Sequence, residues 1–73
     1  MQEKQRLLQE RISKWIKKMR VFDCEMTQEE LAYELGITQP VLSSWENGKS
    51  IPSLITLLHI CELAGEEMGD ILR

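Results

Sequence analysis

Helix-starting and helix-stopping residues recur at short intervals along the second half of this chain, and that punctuation limits it to small helical units. Thr27, with Glu30 three positions later, has the spacing of a capping box, in which hydroxyl and carboxylate each satisfy a first-turn N–H. Gly36 can take the positive φ that ends a helix. Thr38 then opens a further unit. Gln39 and Pro40 lie in its first turn, where proline removes no intrahelical hydrogen bond. Asn47-Gly48 is a turn signal, Ser53 is the next N-cap, and Gly65 closes the unit that Ser53 opens.

The apolar residues between these marks follow helical spacing. Leu8, Ile12, Trp15, Ile16, Met19 and Phe22 form one stripe over residues 7–22, with Lys14, Lys17 and Lys18 mostly outside it. Leu31, Ala32 and Leu35 give the inward face of a second helix, and Val41, Leu42 and Trp45 that of a third. Leu54, Leu57, Leu58, Cys61 and Ala64 run down the expected inner face of a fourth. Glu66 to Leu72 predicts a short fifth helix carrying Met68, Ile71 and Leu72. No strand signal and no repeat appears. The expectation is one all-α domain of five helices over residues 1–73, with a single small core.

Charge is divided along the chain. Residues 1–20 hold seven cations and two acids, a net +5; residues 21–73 hold two cations and ten acids, a net −8. The overall −3 counts against nucleic-acid binding, yet a polarised domain of this size can still present one positive face. A composition 42% hydrophobic and 29% charged argues against disorder. The polar start from Met1 to Arg6 gives no sign of a signal peptide, and no apolar run is long enough to span a bilayer, so the expected compartment is the cytoplasm.

Catalytic and metal chemistry find no pattern. Cys24 and Cys61 are far apart with no Cys or His at ligand spacing, and read as reduced, small apolar residues. His59 and Cys61 are two apart on one helix, so they diverge. Ser43 and Ser44 lack a nearby His or Asp pattern. No metal, no cofactor and no enzymatic activity is expected. Trp15 and Trp45 lie on apolar stripes and read as core.

The stretch from Gln28 to Trp45 carries the functional signal. Two short helices crossing at roughly a right angle need a small residue at the crossing, which Ala32 supplies, and a positive φ in the turn, which Gly36 supplies. Leu31, Leu35, Ile37, Leu42 and Trp45 would anchor both helices, leaving the second free to project its other face.

The whole segment TQEELAYELGITQPVLSSWENGKSIPSLITLLHICELAG resembles the lambda-repressor-like, or Cro/Xre-type, helix-turn-helix family over about residues 19–72. The TQEELA block, the glycine, the SWENGK block and the PSL…L helix stand in the family's order and spacing. The resemblance implies a five-helix DNA-binding domain with its motif at about 28–47 and helix 1 extended at the N-terminus. It implies that helix 3 enters the major groove of double-stranded DNA while helix 2 crosses the backbone. Base contacts then fall to Gln39, Val41, Ser43 and Ser44. Gln39 suits the N6 and N7 edge of adenine, and Val41 a thymine methyl. Phosphate contacts fall to Gln28, Thr38, Asn47 and Lys49. The resemblance also implies a pair between Arg20, at the end of helix 1, and Glu46 of the ENG turn.

Several residues depart from the family pattern. Ser44 stands where Lys or Arg is common, and Pro40 replaces a frequent polar residue. The stretch from Arg20 to Gln28 is one residue longer than usual, with Glu25 in place of a glycine. The DNA face is accordingly less basic than average, which lowers affinity and salt dependence together. The expected function is a sequence-specific transcriptional regulator, a repressor acting as a homodimer. Its dimer surface is expected at Leu63, Met68, Ile71 and Leu72, with the extended start of helix 1 at Leu7 and Leu8 as the other candidate. The alternative is a protein-interaction module, such as an antitoxin or anti-regulator, in which the acidic surface contacts a protein partner.

Overall fold

A computed structural model describes residues 2–69. Its described part contains four α-helices: α1 (Glu3–Lys18), α2 (Gln28–Leu35), α3 (Gln39–Glu46) and α4 (Leu54–Ala64). The polypeptide leaves α1 through one π-helical turn, Met19–Asp23. Beyond Gly65 the described residues hold only a short 3₁₀ turn at Met68–Gly69, so the five-helix count expected from the sequence is replaced by four helices among the described residues. Ile71 and Leu72 lie outside them.

One core joins all four helices. Trp15 and Ile16 come from α1, Met19 from the π turn, Leu31 and Ala32 from α2, Leu42 and Trp45 from α3, and Leu57, Ile60 and Cys61 from α4. Each fully buried large apolar side chain of this kind stabilises the fold by about 1.5–3 kcal/mol. Trp15 also reaches across the chain, its Nε1–H donating to Glu66 Oε2 at 2.9 Å, so α1 is tied to the segment after α4. Cys61 is buried, and Cys24 lies against the core with its thiol pushed up in pKa, first by burial and then by Asp23 and Glu66.

The π turn accounts for the extra residue between Arg20 and Gln28. Cys24 N–H donates to Met19 O at 3.0 Å, an i→i+5 bond, and Glu25 then takes a left-handed φ of 52° at the position where the family favours glycine. The widened turn begins at Met19, which is buried in the core. It also carries Phe22 off the stripe: three residues beyond Met19 no longer returns to the same face, and Phe22 is 73% exposed.

The inner face of α4 is likewise shifted from the sequence expectation. Leu57 and Cys61 point inward as expected and Ala64 is half-buried, but Ile60 is fully buried while Leu54 and Leu58 are exposed. Apolar residues surround this helix almost completely, so hydrophobic periodicity defines no single face.

Candidate nucleic-acid interface

Local sequence chemistry places the helix-turn-helix. Thr27 Oγ1 accepts the Glu30 N–H at 3.1 Å and Glu30 Oε1 accepts the Thr27 N–H at 2.9 Å, which starts α2 at Gln28. The same bonds hold the Glu30 carboxyl below its ordinary pKa, the Thr27 backbone N–H contributing most. Gly36 ends α2 in the left-handed conformation, φ 70° and ψ 30°, and Ile37 N–H returns to Ala32 O at 3.0 Å. Two residues later Thr38 starts α3 from an extended conformation, with no side-chain hydrogen bond to the helix it caps. Pro40 sits in the first turn, where no N–H is required.

Leu42 and Trp45 bury one side of α3. Pro40, Val41 and Asn47 are exposed on the rest, with Gln39 at the exposed leading end and Ser43 and Ser44 half-buried. A chain of polar bonds runs from the core to that leading end. Arg20 Nε and Nη2 donate to the two carboxylate oxygens of Glu46 at 2.7 and 3.0 Å, a bidentate pair, and Arg20 Nη1 donates to Met26 O at 2.9 Å. Gln28 Nε2 donates to Glu46 Oε1 at 3.0 Å, and Gln39 Nε2 donates to Gln28 Oε1 at 2.6 Å. The Arg20 and Glu46 side chains are 12% and 3% exposed, and the hydrogen bonds to Glu46 raise the Arg20 pKa further, so the guanidinium stays charged.

The direction of this chain is set by charge. A guanidinium only donates and a carboxylate only accepts, so Glu46 must receive a donor from Gln28. That turns the Gln28 amide oxygen outward, and it in turn takes an N–H from Gln39. The Gln39 amide is thereby oriented: one N–H is committed to Gln28, and the other N–H together with Oε1 remains for a ligand.

The other residues singled out by the sequence are distributed unevenly. Gln28, Gln39, Arg20 and Glu46 are brought into the single network just described. Asn47, exposed at the end of α3, donates to Ser43 Oγ at 3.2 Å, which joins two more of them. Ser44 is turned away; its hydroxyl shares a 2.8 Å hydrogen bond with Ser50 in the loop before α4. Val41 is exposed on α3 apart from the glutamine pair, and Lys49 is exposed in the turn, where its N–H caps Ser44 O at 3.0 Å. Of the expected dimer residues, Leu63 and Met68 are half-buried against the core of their own chain.

Two contributors were not singled out by the sequence reading. Gln9 Nε2 donates to Gly48 O at 3.0 Å, clamping α1 to the turn after α3. Gly48, at φ 74°, also has Ser13 Oγ 3.8 Å from where a Cβ would stand. Neither side chain belongs to a local motif, so only the packing of α1 on α3 reveals it. The link from Gln28 to Glu46 joins residues 18 apart, and its only sequence sign was the separate placement of both on the motif.

Two short helices at a glycine turn, the second exposed along one side, define a helix-turn-helix domain. The family model for helix-turn-helix proteins of the Cro type matches residues 16–71, and the chain belongs to that family, whose members are DNA-binding regulatory domains. No curated protein and no solved structure gives a significant match. Among the described residues no helix is long and apolar enough to cross a membrane, and no group of His, Cys, Asp or Glu could hold a metal ion.

Proposed function

We propose that this protein is a sequence-specific regulator of transcription, a repressor, that reads the major groove of double-stranded DNA with α3. The observation that carries this reading is the hydrogen-bond chain from Arg20 through Glu46 and Gln28 to Gln39. It leaves the Gln39 amide with one donor and one acceptor side by side, the pattern that pairs with N7 and N6 of adenine. Because the orientation exists before binding, no amide rotation has to be frozen when DNA arrives.

The remaining roles follow from position. Val41 meets a thymine methyl, and Ser43 reaches a base edge. Ser44 contributes least, since Ser50 already occupies its hydroxyl. Gln28 keeps a second N–H for a phosphate, joined by Thr38 and the open N-terminus of α3, and by Asn47 and Lys49 at the other end of the helix. On this reading the cytoplasm is the compartment in which the site meets DNA. Two copies pair so that two half-sites are read together, using Leu63, Met68, Ile71 and Leu72. The exposed Leu54, Ile55 and Leu58 of α4 extend the apolar area open to a second copy.

A second reading, a protein-interaction module, draws on the acidic face of α2. There Glu29, Glu30 and Glu34 surround Tyr33, which is 84% exposed, in a shallow groove beside Met26. Selection from a pool of random double-stranded DNA at low salt separates the two. Enrichment of an inverted repeat, with half-site centres about 34–36 Å apart, supports the regulator. Retention of no DNA at low salt favours the protein-binding module.

A further inference from the structure

The longest helix of the chain is also its most basic, and it lies beside the recognition helix. The Gln9–Gly48 hydrogen bond fixes α1 against the turn that ends α3. A shallow groove runs between them, with Lys14 on the α1 wall and Asn47 and Gly48 on the other. Lys17 is three residues beyond Lys14 and three before Arg20, whose guanidinium reaches Glu46. Lys14 also lines a second shallow groove with Lys17, Lys18, Val21 and Phe22; along it Lys17 stands at i,i+3 between Lys14 and Arg20 of the π turn, and Lys18 is one residue further round the helix from Lys17.

Lys14, Lys17 and Lys18 lie outside the buried core of the described residues. Arg6, further up the same helix, is neutralised by Glu3 and by Glu10 at 2.6 Å. Lys14, Lys17 and Lys18 are exposed and take part in none of the ion pairs among the described residues, although the chain carries twelve acids. Lys14 and the turns of α1 before it also precede the residues that match the family model, so they are a feature of this chain beyond the matched pattern.

We propose that Lys14 and Lys17 form a second phosphate-binding edge, holding the DNA backbone next to the phosphates taken by Asn47 and Lys49 and outside the base pairs read by α3. The inference rests on the DNA-reading function above and widens its footprint. Lysine here acts as a point charge that releases condensed counterions, so the edge adds affinity without adding sequence preference. It supplies on α1 the cation that α3 lacks at Ser44.

The test uses the full chain and the duplex enriched by the wild-type protein. Affinity is measured against salt concentration for the wild type, Lys14→Gln/Lys17→Gln, Lys18→Gln and Gln39→Ala, together with hydroxyl-radical footprints. The double variant should flatten the log–log salt slope by about 0.9 for each phosphate that is no longer neutralised, roughly 1–2 in total. Flanking backbone positions should become open to cleavage in that variant, while the wild-type base preference is kept. Lys18→Gln should keep both slope and footprint, while Gln39→Ala should lose base preference and keep the slope. An unchanged slope in the double variant, or an equal flattening in Lys18→Gln, overturns the proposal while leaving the reading of α3 intact. A wild-type chain that retains no DNA overturns both. The lysine substitutions are on exposed helix positions and exchange good helix formers, so folding is preserved.

Discussion

Replacing Arg20 by Met should remove much of the domain's stability. The Arg20 and Glu46 side chains are 12% and 3% exposed, and the substitution strands the Glu46 carboxylate in the interior with Gln28 Nε2 as its remaining donor among the described residues. Removing one partner of a buried pair costs about 3–5 kcal/mol, because the other charge stays behind unpaired. A domain of this length has roughly 4–11 kcal/mol in total at ~0.05–0.15 kcal/mol per residue. With a urea m-value of about 1 kcal/mol/M for so small a protein, the unfolding midpoint should fall by about 3 M or more. Urea titration followed by circular dichroism measures it directly. The double variant Arg20→Met/Glu46→Leu, with both charges gone, should recover a large part of the stability. Two results would refute the reasoning: a destabilisation below about 1 kcal/mol for Arg20→Met, as expected of a solvated surface pair, or a double variant whose destabilisation is the plain sum of the singles.

Three further outcomes follow from the same geometry. Glu30 is held below its ordinary pKa of 4.5 by the Thr27 N–H, so its contribution to stability is complete above that value and disappears as pH falls through the lower folded-state value. Thermal melts of wild type and Glu30→Gln should therefore differ by a constant amount at higher pH and by a shrinking amount in acid; a pH-independent difference contradicts the capping role. Gly36→Ala forces a Cβ onto a residue with φ 70° but meets no atom within 4 Å, so it should cost only the backbone strain, about 1 kcal/mol by denaturant unfolding. Phe22→Ser, at a side chain 73% exposed, should change stability by less than about 0.5 kcal/mol, and a core-sized effect would show that the π turn packs differently.

Much of the fold was legible because the chain marks its helix ends chemically. Thr27 with Glu30, Gly36, Ser53 and Gly65 act through local hydrogen bonds or local φ, and the elements they bound appear where those marks stand. Two features were not legible. A π turn has no composition of its own; the extra residue after Arg20 was visible, but only packing decides that Met19 keeps its face and Phe22 loses it. In α4 the apolar residues are so numerous that Ile60 and Leu58 could exchange roles without altering the pattern. At the candidate site, Gln28, Gln39 and Glu46 were visible on the motif, and the family resemblance paired Arg20, which precedes it, with Glu46. Their joining into one directional network depends on the crossing of α2 over α3 and on the end of α1, which no local spacing encodes.

The most direct test of the central claim is a base-by-base specificity profile of Gln39→Ala beside the wild type. Affinities would be measured for the enriched duplex and for every single base-pair change within it. If the pre-oriented Gln39 amide reads an adenine, the wild type should discriminate at that base pair by about 1–3 kcal/mol, and the variant should lose that discrimination there while keeping it elsewhere. A profile unchanged by the substitution, or weakened evenly at every position, would contradict the account of α3 as a reader of sequence through Gln39.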